Sequence, residues 1–120
     1  MYAMPIKTNK EDSAIAPVFG HSKWFVVVDK ETKKIEIFEN IHQGIGIVQE
    51  LLNRGVTTIL TPHLGVKPFN IFEENGVEIY YSGDKRVLIL EAIELYESNK
   101  LDRITPQTIQ NYANHGKHHH

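Results

Sequence analysis

Seven histidines and no cysteine define the chemistry open to this chain. Without thiols there is no disulfide framework, cysteine nucleophile, thiolate zinc site or conventional thiolate-held iron–sulfur cluster. Four of the histidines lie in the last six residues. The run His118-His119-His120, after Gly116-Lys117, reads as an expression tag, with a native metal-binding tail as the alternative, and His115 sits in the same tail. The informative set is therefore His21, His42 and His63. A neutral imidazole ligates iron or another soft-to-intermediate metal. Whether these three can share a ligand depends on where the elements place them.

The chain of 120 residues is 41% hydrophobic, enough for one domain with a real core. A formal charge of −2 gives no overall attraction to nucleic acid or anionic membrane. No apolar run between Met1 and Gly20 reaches signal-peptide or membrane-span length, so a cytoplasmic domain is expected. Ala3–Lys7 starts a strand, weakened at its centre by Pro5. Lys10–Ser22 is irregular, the kind of long loop that is functional or mobile. Trp24–Val28 is a continuous β-prone run and Lys34–Phe38 alternates, so the two form a hairpin over the polar Asp29–Lys33 turn. Gly44–Arg54 reads as a helix ended by Gly55, Thr57–Thr61 as a strand, and Pro68–Asn75 as a helix stopped by Gly76. Val77–Tyr81 is a fifth strand, and a last long helix runs from Lys85 to Asn99 with Asp84 as candidate N-cap. Beyond Leu101 the pattern breaks. Thr105-Pro106 can open a short amphipathic helix, so residues 1–101 are taken as one domain and 102–120 as a C-terminal extension. This order predicts a three-layer α/β fold with a mixed five-stranded sheet, strand order 3-2-1-4-5, flanked by helices.

Several stretches together resemble the dinitrogenase iron–molybdenum cofactor biosynthesis family over about Ala3–Leu101. They are Ile6-Lys7-Thr8-Asn9, Pro17-Val18-Phe19-Gly20-His21, Gly44-Ile45-Gly46, Leu64-Gly65-Val66-Lys67-Pro68-Phe69 and Asn75-Gly76-Val77-Glu78-Ile79-Tyr80. The resemblance implies a ribonuclease H-like motif fold and a non-enzymatic carrier or accessory role. It implies binding, delivery or storage of a metal–sulfur cofactor or its precursor. With no thiolate, an iron–sulfur or iron–molybdenum cluster would be bound transiently or arrive preassembled, and cofactor-donor or recipient proteins as partners and a monomer or weak homodimer are the expectations. Two departures stand out: Pro62-His63 is bulkier than the small residues usual there, and the glycine-rich approach to the first helix is reduced to Gly44 and Gly46 after His42-Gln43.

The predicted topology brings the chemistry to one edge. Lys7-Thr8-Asn9 ends strand one, His21 precedes the descending strand two, and strands three and four deliver His42 and His63. This is the edge outside the carboxyl ends of the parallel strands, where open α/β sheets bind ligands. The candidate cofactor-binding set is Thr8, Asn9, His21, His42, Gly44, Gly46, His63, Gly65 and Lys67, with His21, His42 and His63 as metal ligands. Free amides at the starts of the first two helices would face an anion, aided by Lys7 or Lys67. The bland alternative is solvated loop histidines kept apart by the width of the sheet. With strands ~4.8 Å apart, His42 would lie about 10–15 Å from His63, which leaves His21 and His63 as the closer pair.

Other chemistries fit poorly. Gly44-Ile45-Gly46 lacks the third glycine of a dinucleotide fingerprint, since Gln49 stands there. A two-metal nuclease needs clustered carboxylates, and Ala3–Lys7 carries none. Ser22 reads as a loop hydroxyl, not a nucleophile. Trp24, Phe25, Phe38, Phe69 and Phe72 read as core aromatics, and Lys30, Lys33 and Lys34 as a solvated hairpin tip. Phe19 is either a mobile lid or a plug over the sheet end. The expected function is a carrier for an anionic metal–sulfur cofactor. The alternatives are an interaction module that keeps the fold without a cofactor and, less favoured, a small phosphate-binding hydrolase.

Overall fold

The β-prone run and its alternating partner form the hairpin. In a computed structural model describing residues 1–42 and 44–113, β2 (Trp24–Val28) pairs antiparallel with β3 (Ile35–Glu39) and with β1 (Tyr2–Ile6). Then follow α1 (Gly46–Asn53), β4 (Thr58–Thr61), α2 (Val66–Glu74), β5 (Glu78–Tyr81), α3 (Ile89–Glu97), β6 (Asp102–Ile104) and α4 (Gln110–Ala113). The two crossovers make β4 parallel to β1 and β5 parallel to β4, while β6 closes the edge antiparallel to β5. The sheet order is β3-β2-β1-β4-β5-β6: the predicted order with a sixth strand added. Residues 114–120, including His115 and the terminal histidine run, and Gln43 lie outside the described residues.

Strand alternation divides the core between the two faces. Ala3, Phe25, Val27, Ile59 and Ile79 pack with Ile47, Val48 and Leu51 of α1 and Phe69 and Phe72 of α2. Tyr2, Met4, Val26, Val28 and Leu60 pack with Ile89, Ala92 and Ile93 of α3. The result is three layers, helix–sheet–helix. No helix among the described residues is long and apolar enough to cross a membrane.

Pro5 sits in a central strand without breaking it. The β1–β4 pairing covers only Tyr2 and Ala3, and beyond it the neighbour of β1 is the segment after the first loop. Pro5 O accepts from Ala16 N at 2.8 Å, so the missing N–H faces that irregular segment and not the β2 ladder. The long loop, expected to be functional or mobile, is laid along the sheet end, and its Ile15 and Pro17 line a cleft there. It forms the bridges Ile6–Ile15, Ala14–Leu88 and Val18–His63, and Ala14, Ile15 and Ala16 are buried. Phe19 is a plug: fully buried, its ring lies edge-on to Phe25 at 5.1 Å and to Phe72 at 5.7 Å. Ser22 Oγ lies 2.8 Å from Ile6 O and 2.6 Å from Trp24 O, which makes it a buried structural hydroxyl.

Two sequence expectations are corrected. Asp84 does not cap the third helix, which starts at Ile89; Leu88 N–H donates to Glu91 Oε1 at 2.9 Å instead. Ile15 N donates to Val87 O at 2.9 Å and Leu88 bridges Ala14, so this pairing holds 87–88 extended and delays the helix. The hairpin tip is not merely solvated. Lys30 Nζ donates to Thr58 Oγ1 at 2.8 Å and lies over the Tyr2 ring, and Lys33 pairs with Glu97 at 3.0 Å.

Because Phe19 fills the space between Phe25 and Phe72, Phe19→Ala is expected to destabilise the protein by about 3–5 kcal/mol in urea unfolding. A loss below about 1 kcal/mol would mark the segment as a lid outside the cooperative core.

Candidate functional site

Three loops meet where β1, β4 and β5 end. The first leaves β1 at Lys7. Its turn is organised by buried Ser13, whose Oγ accepts from Lys7 N at 3.1 Å and Thr8 N at 3.0 Å. The second is Pro62–Gly65, in which His63 O accepts from Phe19 N at 2.8 Å and from Thr61 Oγ1 at 3.3 Å. The third is Gly83–Arg86, an open turn with Gly83 at φ +100°.

Between them lies a cleft of about 140 Å³. Ile15, Pro17 and Pro62 supply apolar walls; Lys7, Lys85 and Arg86 supply three cations against the single carboxylate of Asp84; His63 completes the lining. Among the described residues these three cations form no ion pair within 4 Å, so their field is available to an anion. His63 is oriented from below by an edge contact with Tyr81 at 6.0 Å and by a 2.9 Å hydrogen bond from Nδ1 to Tyr112 O. Burial, then the Asp84 carboxylate, raises the Tyr81 phenol above its ordinary value of 10.0, so it stays neutral beside the cleft.

Thr8 and Asn9 are exposed on the first loop, next to Lys7. His21 is exposed on the short 3-10 turn Phe19–His21, three residues after the Val18–His63 bridge. Gly65 is the N-cap of α2 and Lys67 is exposed in its first turn. None of these five is among the residues that line the cleft. His42, Gly44 and Gly46 belong to a separate corner at the β3 edge. His42 Nε2 lies 2.8 Å from Glu50 Oε1, and its backbone N donates to Asn40 Oδ1 at 3.0 Å. Glu50 also holds Arg54 at 2.9 Å, and Arg54 reaches Glu36 at 3.2 Å. The histidine set expected for a metal, His21, His42 and His63, is thus not gathered: among the described residues no three His, Asp or Glu side chains are grouped to hold an ion.

The glycines of Gly44-Ile45-Gly46 have local reasons. Gly44 takes a left-handed φ of +60°. A Cβ on Gly46 would lie 2.8 Å from His42 Cβ, so Gly46 makes room for the histidine. Sequence reading missed Lys85, Arg86 and Tyr112. The signal available for the first two was a Gly-Asp-Lys-Arg turn at the carboxyl end of a parallel strand.

The model of the dinitrogenase iron–molybdenum cofactor family matches residues 1–99. An uncharacterized protein of Methanocaldococcus jannaschii is 30% identical over 110 residues, an alignment covering 84% of this chain and 88% of that one. Among solved structures, a Thermotoga protein provisionally named NifB superposes with a TM-score of 0.75 at 24% identity, covering 87% of this chain and 92% of its own. The apo form of the orange protein from Desulfovibrio gigas superposes with a TM-score of 0.74 at 24% identity, covering 85% and 90%. At these identities the superpositions establish the shared fold.

At the His42 corner, burial raises the Glu50 carboxyl, but the hydrogen bonds from Arg54 and His42 outweigh it and hold Glu50 below its ordinary 4.5. A lowered carboxylate stabilises the fold above the unfolded value and loses that contribution as pH falls through the folded one. Urea unfolding from pH 7 to pH 3 should therefore show roughly 0.5–1 kcal/mol more acid-side loss in the parent protein than in Glu50→Gln. Equal loss in both would mean that the cluster contributes nothing.

Proposed function

The chain belongs to the dinitrogenase iron–molybdenum cofactor family, and on that footing we propose that it is a non-enzymatic cytoplasmic carrier for an anionic iron–sulfur or iron–molybdenum type cofactor or precursor. The supporting observation is the cationic cleft of Lys7, His63, Lys85 and Arg86 at the carboxyl edge of the parallel strands. The chain offers no thiolate, so the cluster's sulfur arrives with it and the protein contributes charge and imidazole. Few ligands mean loose holding, which suits a cargo collected from a donor protein and given to a recipient.

His63 is the imidazole of the cleft lining, and His21, on the turn three residues after the Val18–His63 bridge, is the second imidazole of the proposed site. Thr8, Asn9, Gly65 and Lys67 serve the cargo's periphery. His42, Gly44 and Gly46 have a structural role at the β3 corner and are not assigned to it. The second reading is an interaction module that binds no cofactor. It draws on Ile41 at 80% and Ile45 at 45% exposure, an apolar pair flanking His42 where another protein could dock.

Anaerobic incubation with iron–sulfur or molybdenum–sulfur anions, using protein without residues 114–120, is expected to leave a visible chromophore bound after desalting. Lys85→Gln/Arg86→Gln should weaken uptake roughly three- to tenfold, and added salt should weaken the parent likewise. No chromophore with any of these anions would favour the interaction module. Uptake unchanged in His21→Ala/His63→Ala would remove the imidazoles from the site.

A further inference from the structure

From beyond residue 99, where the family match ends, the chain returns to His63. After α3, β6 runs back along β5 with Tyr81 opposite Asp102 and Ile79 opposite Ile104. A turn closed by the Thr105 N to Thr108 Oγ1 bond, 2.9 Å, then leads to Ile109, which is buried in the core with α1 and α2. That anchor sets Tyr112 on Tyr81, their ring centroids 4.7 Å apart, and brings Tyr112 O to 2.9 Å from His63 Nδ1.

A carbonyl oxygen only accepts, so the proton in this bond belongs to Nδ1. In the neutral ring Nε2 is then the nitrogen that carries the lone pair, and this backbone contact favours that tautomer while Tyr81 helps to set the ring's orientation. We propose that the C-terminal arm, residues 102–113, is a positioning device for His63 that holds its Nδ1–H tautomer and so leaves Nε2 as the basic nitrogen of the ring. The arm needs three features for this, all present: a strand that joins the sheet, an apolar anchor at Ile109, and an aromatic contact that fixes Tyr112 over Tyr81. The inference builds on the carrier reading, because it gives His63 its role as a ligand. Its test is made on ligand-free protein, so a failure here is distinct from a failure to take up cofactor.

The measurement is long-range proton–nitrogen NMR of the full chain at about pH 8.5, above the ordinary imidazole value near 6.5. The His63 signals are assigned by difference against His63→Gln. The expected result is a protonated, pyrrole-like Nδ1 and a pyridine-like Nε2. Tyr112→Pro removes the Tyr112 N–H bond to Ile109 O, 2.9 Å, and displaces the carbonyl. It should move the tautomer ratio about fivefold toward Nε2–H, the size of one net backbone hydrogen bond. Tyr112→Ala, which removes the ring and its contact with Tyr81 without the added backbone freedom of glycine, should move the ratio in the same direction by less. A parent protein with Nε2–H as its main form would overturn the proposal, as would two variants that both keep the parent ratio.

Discussion

The site depends on one short run of backbone. Residues 14–18 lie across the end of the sheet and pair in turn with Ile6, Leu88 and His63. Each pairing takes up backbone groups that the sheet end would otherwise leave without partners, at a cost of about 1–3 kcal/mol each if buried and unmet. The loops after β1, β4 and β5 are thereby drawn to a single seam, and Phe19, locked beneath it between Phe25 and Phe72, fixes its depth. Without this seam the cations on the first and third loops would have no common wall.

The two ends of the sheet show opposite electrostatic designs. At the end where β1 begins, charges are mutually satisfied: the Tyr2 hydroxyl donates to Glu97 at 2.6 Å, Lys33 pairs with Glu97 at 3.0 Å and Lys30 donates to Thr58. The hydrogen bond from Tyr2, then that from Lys33, holds the Glu97 carboxyl below its ordinary value. At the opposite end Lys7, Lys85 and Arg86 converge on a shallow cleft with one carboxylate among them. Exposed cations gain little from ordering against one another, so their convergence costs stability through mutual repulsion unless an anion relieves it. That contrast, within a chain of net charge −2, is the physical case for an anionic cargo.

Most of the sheet was legible because each of its first five strands carries a continuous or alternating apolar run, and the crossovers leave little freedom in their order. The sixth strand was not. It has three residues, of which Asp102 and Arg103 are exposed and only Ile104 is buried, too few to show a period. Ala14, Ile15 and Ala16 are buried by pairing with distant backbone, and no local pattern announces that. The same pairing overrode the helix-compatible Lys85–Val87 and turned two predicted helix residues into cleft cations. The histidines were correctly brought to loops, but residue types do not report neighbours: Glu50 draws His42 onto α1, while Tyr112, from the arm, meets His63.

On this charge distribution the cleft, and not the β3 corner, receives the anion. Backbone proton–nitrogen NMR during titration of the ligand-free protein with a soluble molybdenum–sulfur anion tests it most directly. Shifts are expected to concentrate at residues 7–9, 62–65 and 83–86. Shifts centred on Ile41–Gly46, or spread evenly over surface lysines with no focus, would contradict it.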